Sequence, residues 1–292
     1  MFRQLIPTGA ALAAILITSG CSSSSGNSDD PDNSDGSGNV SLEGKAADGY
    51  LAGARVCLDL NNNASCDDGE PTTTTSAGGG YTLEGVTQEQ IANSPIVVEI
   101  IVGETIDEDN PGETIDKTYT LTAPAGSAFV SPLTTMVQNE IKENGLSPDE
   151  AKASIQARLG TELDPTEDYV AGSDDGTSGE EFQRLHKVAQ VTRAVMQKNI
   201  ELVNTVVNET GVSQEDLTAL IVEQVLEALD DIQQAIETAG DGFDADDLAG
   251  SDDLQSTRLD PSKVEEQLEE RRDRRAATAA NLAGLLTDGD GL

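Results

Sequence analysis

The sequence predicts an α+β chain: a small N-terminal β-sandwich over residues 40–130, followed by a C-terminal antiparallel α-helical bundle over 131–292. Three observations predict it. Short runs of β-branched and aromatic residues, punctuated by Gly, Asn, Asp and Pro, fill the stretch from Val40 to Val130. From Pro132 onward the apolar residues recur with a period near 3.6. The chain has 292 residues but no Trp, and aromatics make up only 3%, so its core must be built from Val, Ile, Leu and Ala.

Five runs read as strands: 40–43, 54–59, 81–83, 96–102 and 117–121. Gly49 and Gly53 bracket one turn, and Gly78-Gly79-Gly80 punctuates another. Thr87-Gln88-Glu89-Gln90 has the pattern that caps a short helical turn. Beyond Pro132, Leu133, Met136, Val137 and Ile141 form one helical stripe. Ser147-Pro148-Asp149-Glu150 starts the next helix, with Ser as N-cap, Pro at N1 and Glu at N3, and Gly160 ends it. Phe182, Leu185, Val188, Val195, Met196, Leu202, Val203 and Val206 mark a longer helix that Gly211 breaks. Ser213 caps a further helix whose face carries Leu217, Leu220, Ile221, Val225, Ala228, Ile232 and Ile236. Residues 240–253, acidic and Gly-containing, read as a loop. A last helix is expected from Asp260-Pro261 to about Leu286.

The chain carries 54 Asp and Glu against 17 Lys and Arg, a formal charge of −37. A polyanion such as nucleic acid would be repelled, and so would an anionic lipid surface. Cations and basic protein surfaces are the compatible partners.

Residues 1–20 have the layout of a signal peptide. A short start with Arg3 precedes an apolar stretch from Leu5 to Ile17, too short to span a bilayer. Thr18-Ser19-Gly20-Cys21 resembles a bacterial lipobox, which implies cleavage after Gly20 and covalent lipid on Cys21. Ser22 stands where lipoproteins held at the inner membrane usually have Asp, so the resemblance points to the outer membrane, with the inner membrane as the alternative. Residues 21–39 then hold the lipidated Cys and a tether without large apolar residues, which is expected to be disordered. For about 18 flexible residues the span is ~25 Å, enough to hold a folded part clear of the headgroups.

The segment from Asp59 to Glu70 carries the most chemical information. Counting Asp59 as position one, oxygen-bearing Asp59, Asn61, Asn63, Asp67 and Glu70 fall at positions 1, 3, 5, 9 and 12, the spacing of a calcium-binding EF-hand loop. Ala64 occupies the position where that loop normally has Gly, and a strand precedes it rather than a helix. The same Asn, Asp and Gly richness also suits a solvated hairpin. Cys57 and Cys66 flank the loop and, in an oxidising envelope with Cys21 committed to lipid, are natural disulfide partners. Such a closure would contribute about 2–3 kcal/mol on the chain-entropy account.

The run GKAADGYLAGARVCLDLNNNASCDDGEPTTTTSAGGGYTLEGV resembles the transthyretin- or carboxypeptidase-regulatory-like β-sandwich modules of bacterial envelope proteins. SPLTTMV, from Ser131 to Val137, resembles the segment that often follows such a module. The resemblance covers about residues 40–160. It implies binding or display roles, with Asp59, Asn61, Asn63, Asp67 and Glu70 as calcium ligands.

No catalytic residues are identified. The single histidine, His186, sits within a helix, no G-x-S-x-G occurs, and one His cannot make a His-based zinc site. Arg271-Arg272-Asp273-Arg274-Arg275 alternates with Glu residues at helical spacing and reads as a solvated face, or as a docking site for an acidic partner. The expectation is a non-enzymatic, acidic, lipid-anchored envelope protein. It would partner a membrane protein or transport assembly, including one that takes up poorly soluble compounds. A calcium-dependent surface or adhesion module is the alternative. Replacing Cys21 with Ser is predicted to abolish labelled-palmitate incorporation and move the protein from the membrane to the soluble fraction; retained label would refute the anchor.

Overall fold

The computed structural model describes residues 39–210 and 212–288; the signal segment, Cys21 and the tether as far as residue 38 lie outside the described residues. It is a mixed α/β structure with small sheets and several helices. The strands are β1 (Val40–Ala46), β2 (Leu51–Ala52), β3 (Arg55–Leu58), β4 (Thr72–Thr74), β5 (Gly80–Val86), β6 (Ile96–Glu99), β7 (Ile106–Asp107), β8 (Thr120–Ala123) and β9 (Phe129–Val130). The helices are α1 (Gln88–Asn93), α2 (Pro132–Asn144), α3 (Pro148–Leu159), α4 (Tyr169–Gly172), α5 (Gly179–Thr210), α6 (Gln214–Glu227), α7 (Leu229–Ala239), α8 (Ala245–Gly250) and α9 (Val264–Asp288).

One sheet has the order β5-β1-β9, a second the order β4-β3-β6-β8, and β2 pairs with β7 as a ribbon. Alternation sets the faces. In β5, Tyr81 and Leu83 are buried while Thr82 and Glu84 are exposed. In β6 both faces are covered: Ile96 and Val98 enter the main core, and Val97 packs on the other side against Cys57 and Cys66. The main core is one apolar cluster running from Leu42 in β1 through the helices to Leu268 in α9.

The SPLTT segment joins strand to helix through hydroxyls. Ser131 Oγ accepts the Thr134 amide (3.2 Å) and Thr134 Oγ1 accepts the Ser131 amide (2.7 Å), a reciprocal cap on α2. Thr134 Oγ1 also donates to the Thr122 carbonyl (2.8 Å), and Thr135 Oγ1 accepts the Thr122 amide (2.9 Å). The start of α2 is thereby fixed on β8. Ser147 caps α3 as expected, and Gly160 ends it in the left-handed conformation (φ 63°).

Several elements differ from the sequence expectation. The helix expected over 213–236 is two, α6 and α7, divided at Ala228 (φ −100°, ψ 14°). The break lets Leu226 and Leu229 both reach the core while Asp230 and Asp231 fall in the first turn of α7, where the helix dipole favours them. The expected loop at 240–253 contains α8, because Asp244 accepts the Asp247 amide (2.9 Å) as a cap and small Ala245 and Ala249 let the turn pack on α5. The last helix begins at Val264 rather than at Asp260-Pro261. Strands β2, β4, β7 and β9 are two or three residues long, too short to show periodicity.

The basic run in α9 is solvated at Arg272, Asp273 and Arg274 but not at Arg271. Arg271 is 1% exposed; its guanidinium meets Glu143 of α2 (2.6 Å) and Asp216 of α6 (3.0 Å). Arg272 bonds Asp216 (2.8 Å), Arg274 bonds Glu223 (2.6 Å) and Arg275 bonds Glu215 (2.9 Å). Arg271 therefore turns inward, and together with its exposed neighbours fastens α9 to α2 and α6. Arg271→Ala removes the one buried cation shared by Glu143 and Asp216, leaving them only the more exposed Arg272 and Arg275, and is expected to lower unfolding free energy by about 3 kcal/mol. Arg274→Ala, whose pair is exposed, should cost under about 1 kcal/mol. Urea denaturation of both variants checks the contrast, which equal effects would contradict.

Candidate functional site

The Asp59 loop connects β3 to β4, and the disulfide between Cys57 and Cys66, with Cα atoms 5.6 Å apart, closes it. The predicted ligand residues come together here. Asp59, 1% exposed, accepts the amides of Asn63 (3.1 Å) and Ala64 (2.8 Å). Ala64 takes the left-handed conformation (φ 59°) that a glycine would adopt more cheaply, so the sharp turn forms without Gly. Asp67 Oδ2 accepts from the side-chain amides of Asn61 and Asn63, each at 2.7 Å. Glu70 accepts the amides of Leu60 (2.8 Å) and Asp67 (2.9 Å), clamping the two ends of the loop.

Asn61 and Asn63 each use Oδ1 to accept the amide two residues on, which makes two successive Asx turns. Burial pushes the Asp59 carboxyl up against the loop amides that favour its charge, while Asn61 and Asn63 hold that of Asp67 down. The donor set is all hard oxygen, which suits calcium chemistry. Among the described residues, no three His, Cys, Asp or Glu side chains are spaced to hold a metal ion. An ion here would thus need the Asn oxygens and would compete with the loop amides for the carboxylates. Lys142 of α2 donates to the Asn62 carbonyl (2.6 Å), docking the loop on the helices.

A second cluster lies where the strand region meets α5. The turn between β1 and β2 supplies Asp48, and the β7 region supplies Asp107 and Asp109. Residues His186, Gln190 and Arg193 present one face of α5 to them, at the i, i+4, i+7 spacing of a helix. Arg193 Nε lies 3.2 Å from Asp48 Oδ2, and its Nη1 donates to Asp246 of α8 (2.9 Å). Tyr119 OH donates to Asp48 Oδ2 (3.0 Å). His186 Nε2 lies 2.9 Å from Asp109 Oδ2, and Gln190 donates to the same oxygen. The His186 ring is tilted against Tyr169 at 5.4 Å, and Tyr169 OH donates to the Ala47 carbonyl (3.1 Å). Gly49 leaves room for the acids: a Cβ there would lie 2.4 Å from Asp107 Oδ1.

Charge is imperfectly balanced in this cluster. Asp48 is 1% exposed and its Oδ1 has no hydrogen-bond partner. Burial and the neighbouring Asp107 push the Asp48 carboxyl up to about 7 despite Arg193. Burial likewise raises Asp107. Asp109 is held below its ordinary value, because the contact with His186 outweighs burial. Sequence reading missed this group because its carboxylates lie 59 residues apart and Arg193 lies 86 residues further on; the His186, Gln190, Arg193 line on one face of the helix was its local signal.

No protein-family model, curated protein or solved structure matches the chain.

The folded chain holds a proton on Asp48 that the unfolded chain releases near the ordinary carboxylate value. That contribution to stability is complete below about pH 4 and is lost as pH rises through about 7. The melting temperature is therefore expected to fall by several degrees between pH 6 and 8, and the fall should shrink in Asp48→Asn. An identical slope in the variant would exclude Asp48 as its source.

Proposed function

We propose that the chain is a non-enzymatic, lipid-anchored protein of the bacterial cell envelope. Its folded part, a small β-sandwich followed by an antiparallel helical bundle, docks on a basic surface of a membrane protein or transport assembly. An outer-membrane importer of poorly soluble compounds is one such assembly. Lipid on Cys21 would provide the attachment and the tether the reach.

The observation that carries this reading is the disposition of charge. Between Lys198 and Arg258 the sequence has no Lys, Arg or His, and every Asp and Glu from Glu227 to Asp253 is exposed. The cations nearest in the fold are already engaged. Arg193 holds Asp48 and Asp246, Arg258 donates to the carbonyls of Gly250 and Ser251, and the α9 arginines pair with α2 and α6. The exterior over α7 and α8, where Arg184 bonds Gln233 and Lys187 lies over the Phe243 ring, is left net negative, and such a field favours a cationic partner and speeds encounter at low salt. His186 supports the non-enzymatic reading, since its ring is packed on Tyr169 and one nitrogen faces Asp109 within the scaffold.

A second reading, the calcium-dependent surface module, draws on the convergence of Asp59, Asn61, Asn63, Asp67 and Glu70 in the disulfide-closed loop. One experiment separates the two. Crosslinking in intact membranes, followed by affinity capture, is run with calcium or with chelator. The docking reading predicts one dominant membrane protein in both arms. Its binding should weaken about tenfold when Asp230, Asp231 and Glu237 become Asn, Asn and Gln, and weaken further with added salt. Recovery only with calcium would favour the adhesion module, and recovery of no partner would count against both.

A further inference from the structure

A cleft of about 420 Å³ opens beside the Asp48 turn, between the segment from Asp107 to Tyr119, α5 and α8. Its floor holds the buried Asp48 and Asp107, and its rim carries the exposed Glu113, Asp116 and Asp246. Two cations line it, and both are engaged: Arg193 is shared between Asp48 and Asp246, and Lys117 faces Glu201 at 3.6 Å. The lining is therefore net negative. Asp48 Oδ1, at the floor, has no donor at all. A buried carboxylate without full compensation is costly, and a protein relieves that cost with a proton or with a cation.

We propose that this cleft binds a linear polyamine, with one ammonium beside Asp107 and Asp48 and the next among the rim carboxylates. The spread of the acids favours this class over a metal ion. A divalent metal gathers several oxygens about one point at roughly 2.3–2.6 Å, whereas here the carboxylates run from floor to rim and Arg193 already sits between two of them. Each terminal ammonium brings three donors, and an internal one two, for separate carboxylates. Ile115 and Tyr119, which also line the cleft, offer apolar surface to the methylenes between them.

Protonation follows from the same geometry. Asp48 faces Tyr119, Asp107 and Asp109 from the strand region, Tyr169 from α4 and Arg193 from α5, while His186 pairs with Asp109 and Asp246 of α8 pairs with Arg193. The Asp48 carboxyl stands at about 7 without ligand, so a cation at the floor displaces its proton, and affinity rises with pH across that value.

Calorimetric titration of spermidine into the full chain tests this, at about 150 mM NaCl, where screening confines surface attraction to about 8 Å. The expected result is one saturable site, proton release near pH 7, and binding about fivefold tighter at pH 8 than at pH 6. Asp107→Asn should weaken it about tenfold and Asp116→Asn, a fully solvated change that leaves the core untouched, about threefold. Asp253→Asn, exposed beyond the cleft, should leave it unchanged. Absence of saturable heat, or equal weakening by Asp253→Asn and Asp116→Asn, would overturn the site, the latter showing diffuse attraction to an anionic chain. Calcium heat that Asp116→Asn removes would overturn the choice of ligand, as would tighter binding of an acetylated tripeptide with a central lysine.

Discussion

Arg271 and Arg193 occupy the two places where packing would otherwise force carboxylates together, and the arrangement of the helices depends on them. Arg271, 1% exposed, lies between Glu143 of α2 and Asp216 of α6, so α9 is held through a cation as well as through the buried Val264 and Leu268. Arg193 joins Asp48 of the strand region to Asp246 of α8 across α5. In a chain with 54 acidic and 17 basic residues, each cation placed at a junction is one withheld from the surface. The anionic exterior and the ion-paired junctions are thus two consequences of the same scarcity. An isolated buried pair adds little net stability, but removing its cation is expensive, which makes these positions determinants of arrangement.

The polar seam between strands and helices extends this logic without full charges. Thr122, Ser131, Thr134 and Thr135 satisfy one another's backbone and hydroxyl groups at the start of α2, all of them buried. Lys45, Tyr50 and Asp168 form a third connection, with Lys45 donating to Tyr50 (2.9 Å) and Asp168 (3.0 Å), and Tyr50 donating to Asp168 (2.8 Å). A core poor in aromatics gains little from ring packing, and Phe129 against Tyr169, edge to face at 5.2 Å, stands at the same seam. Directional bonds there give the register that aliphatic side chains specify weakly.

The two acidic sites illustrate opposite solutions to burying carboxylates. In the Asp59 loop the acids are neutralised locally, by amides within a few residues and by two asparagine side chains, under a disulfide that limits the open states of the chain. In the Asp48 cluster the acids come from distant segments and share one arginine, so one oxygen is left without a donor and protons are retained toward neutrality. The first is compensated within its own loop, the second only in part.

The sequence alone determined whatever depends on neighbours within a few positions. Caps at Thr87, Ser147 and Ser213, the stop at Gly160, the amphipathic stripes, the pairing of Cys57 with Cys66 and the gathering of the Asp59 loop are all local, because a cap, a stripe or a short covalent loop closes within a turn or two of chain. Tertiary structure decided what depends on long closure. Ala228 divides a continuous apolar face because two helices must meet one core, and strands of two residues form only where a partner strand lies alongside. Alternating Glu and Arg in α9 have the same local pattern whether the run faces water or protein; only packing against Glu143 and Asp216 turned Arg271 inward. The Asp48 cleft belongs wholly to this second kind, since electrostatic compensation depends on distance in space and the residues that share Arg193 are far apart along the chain.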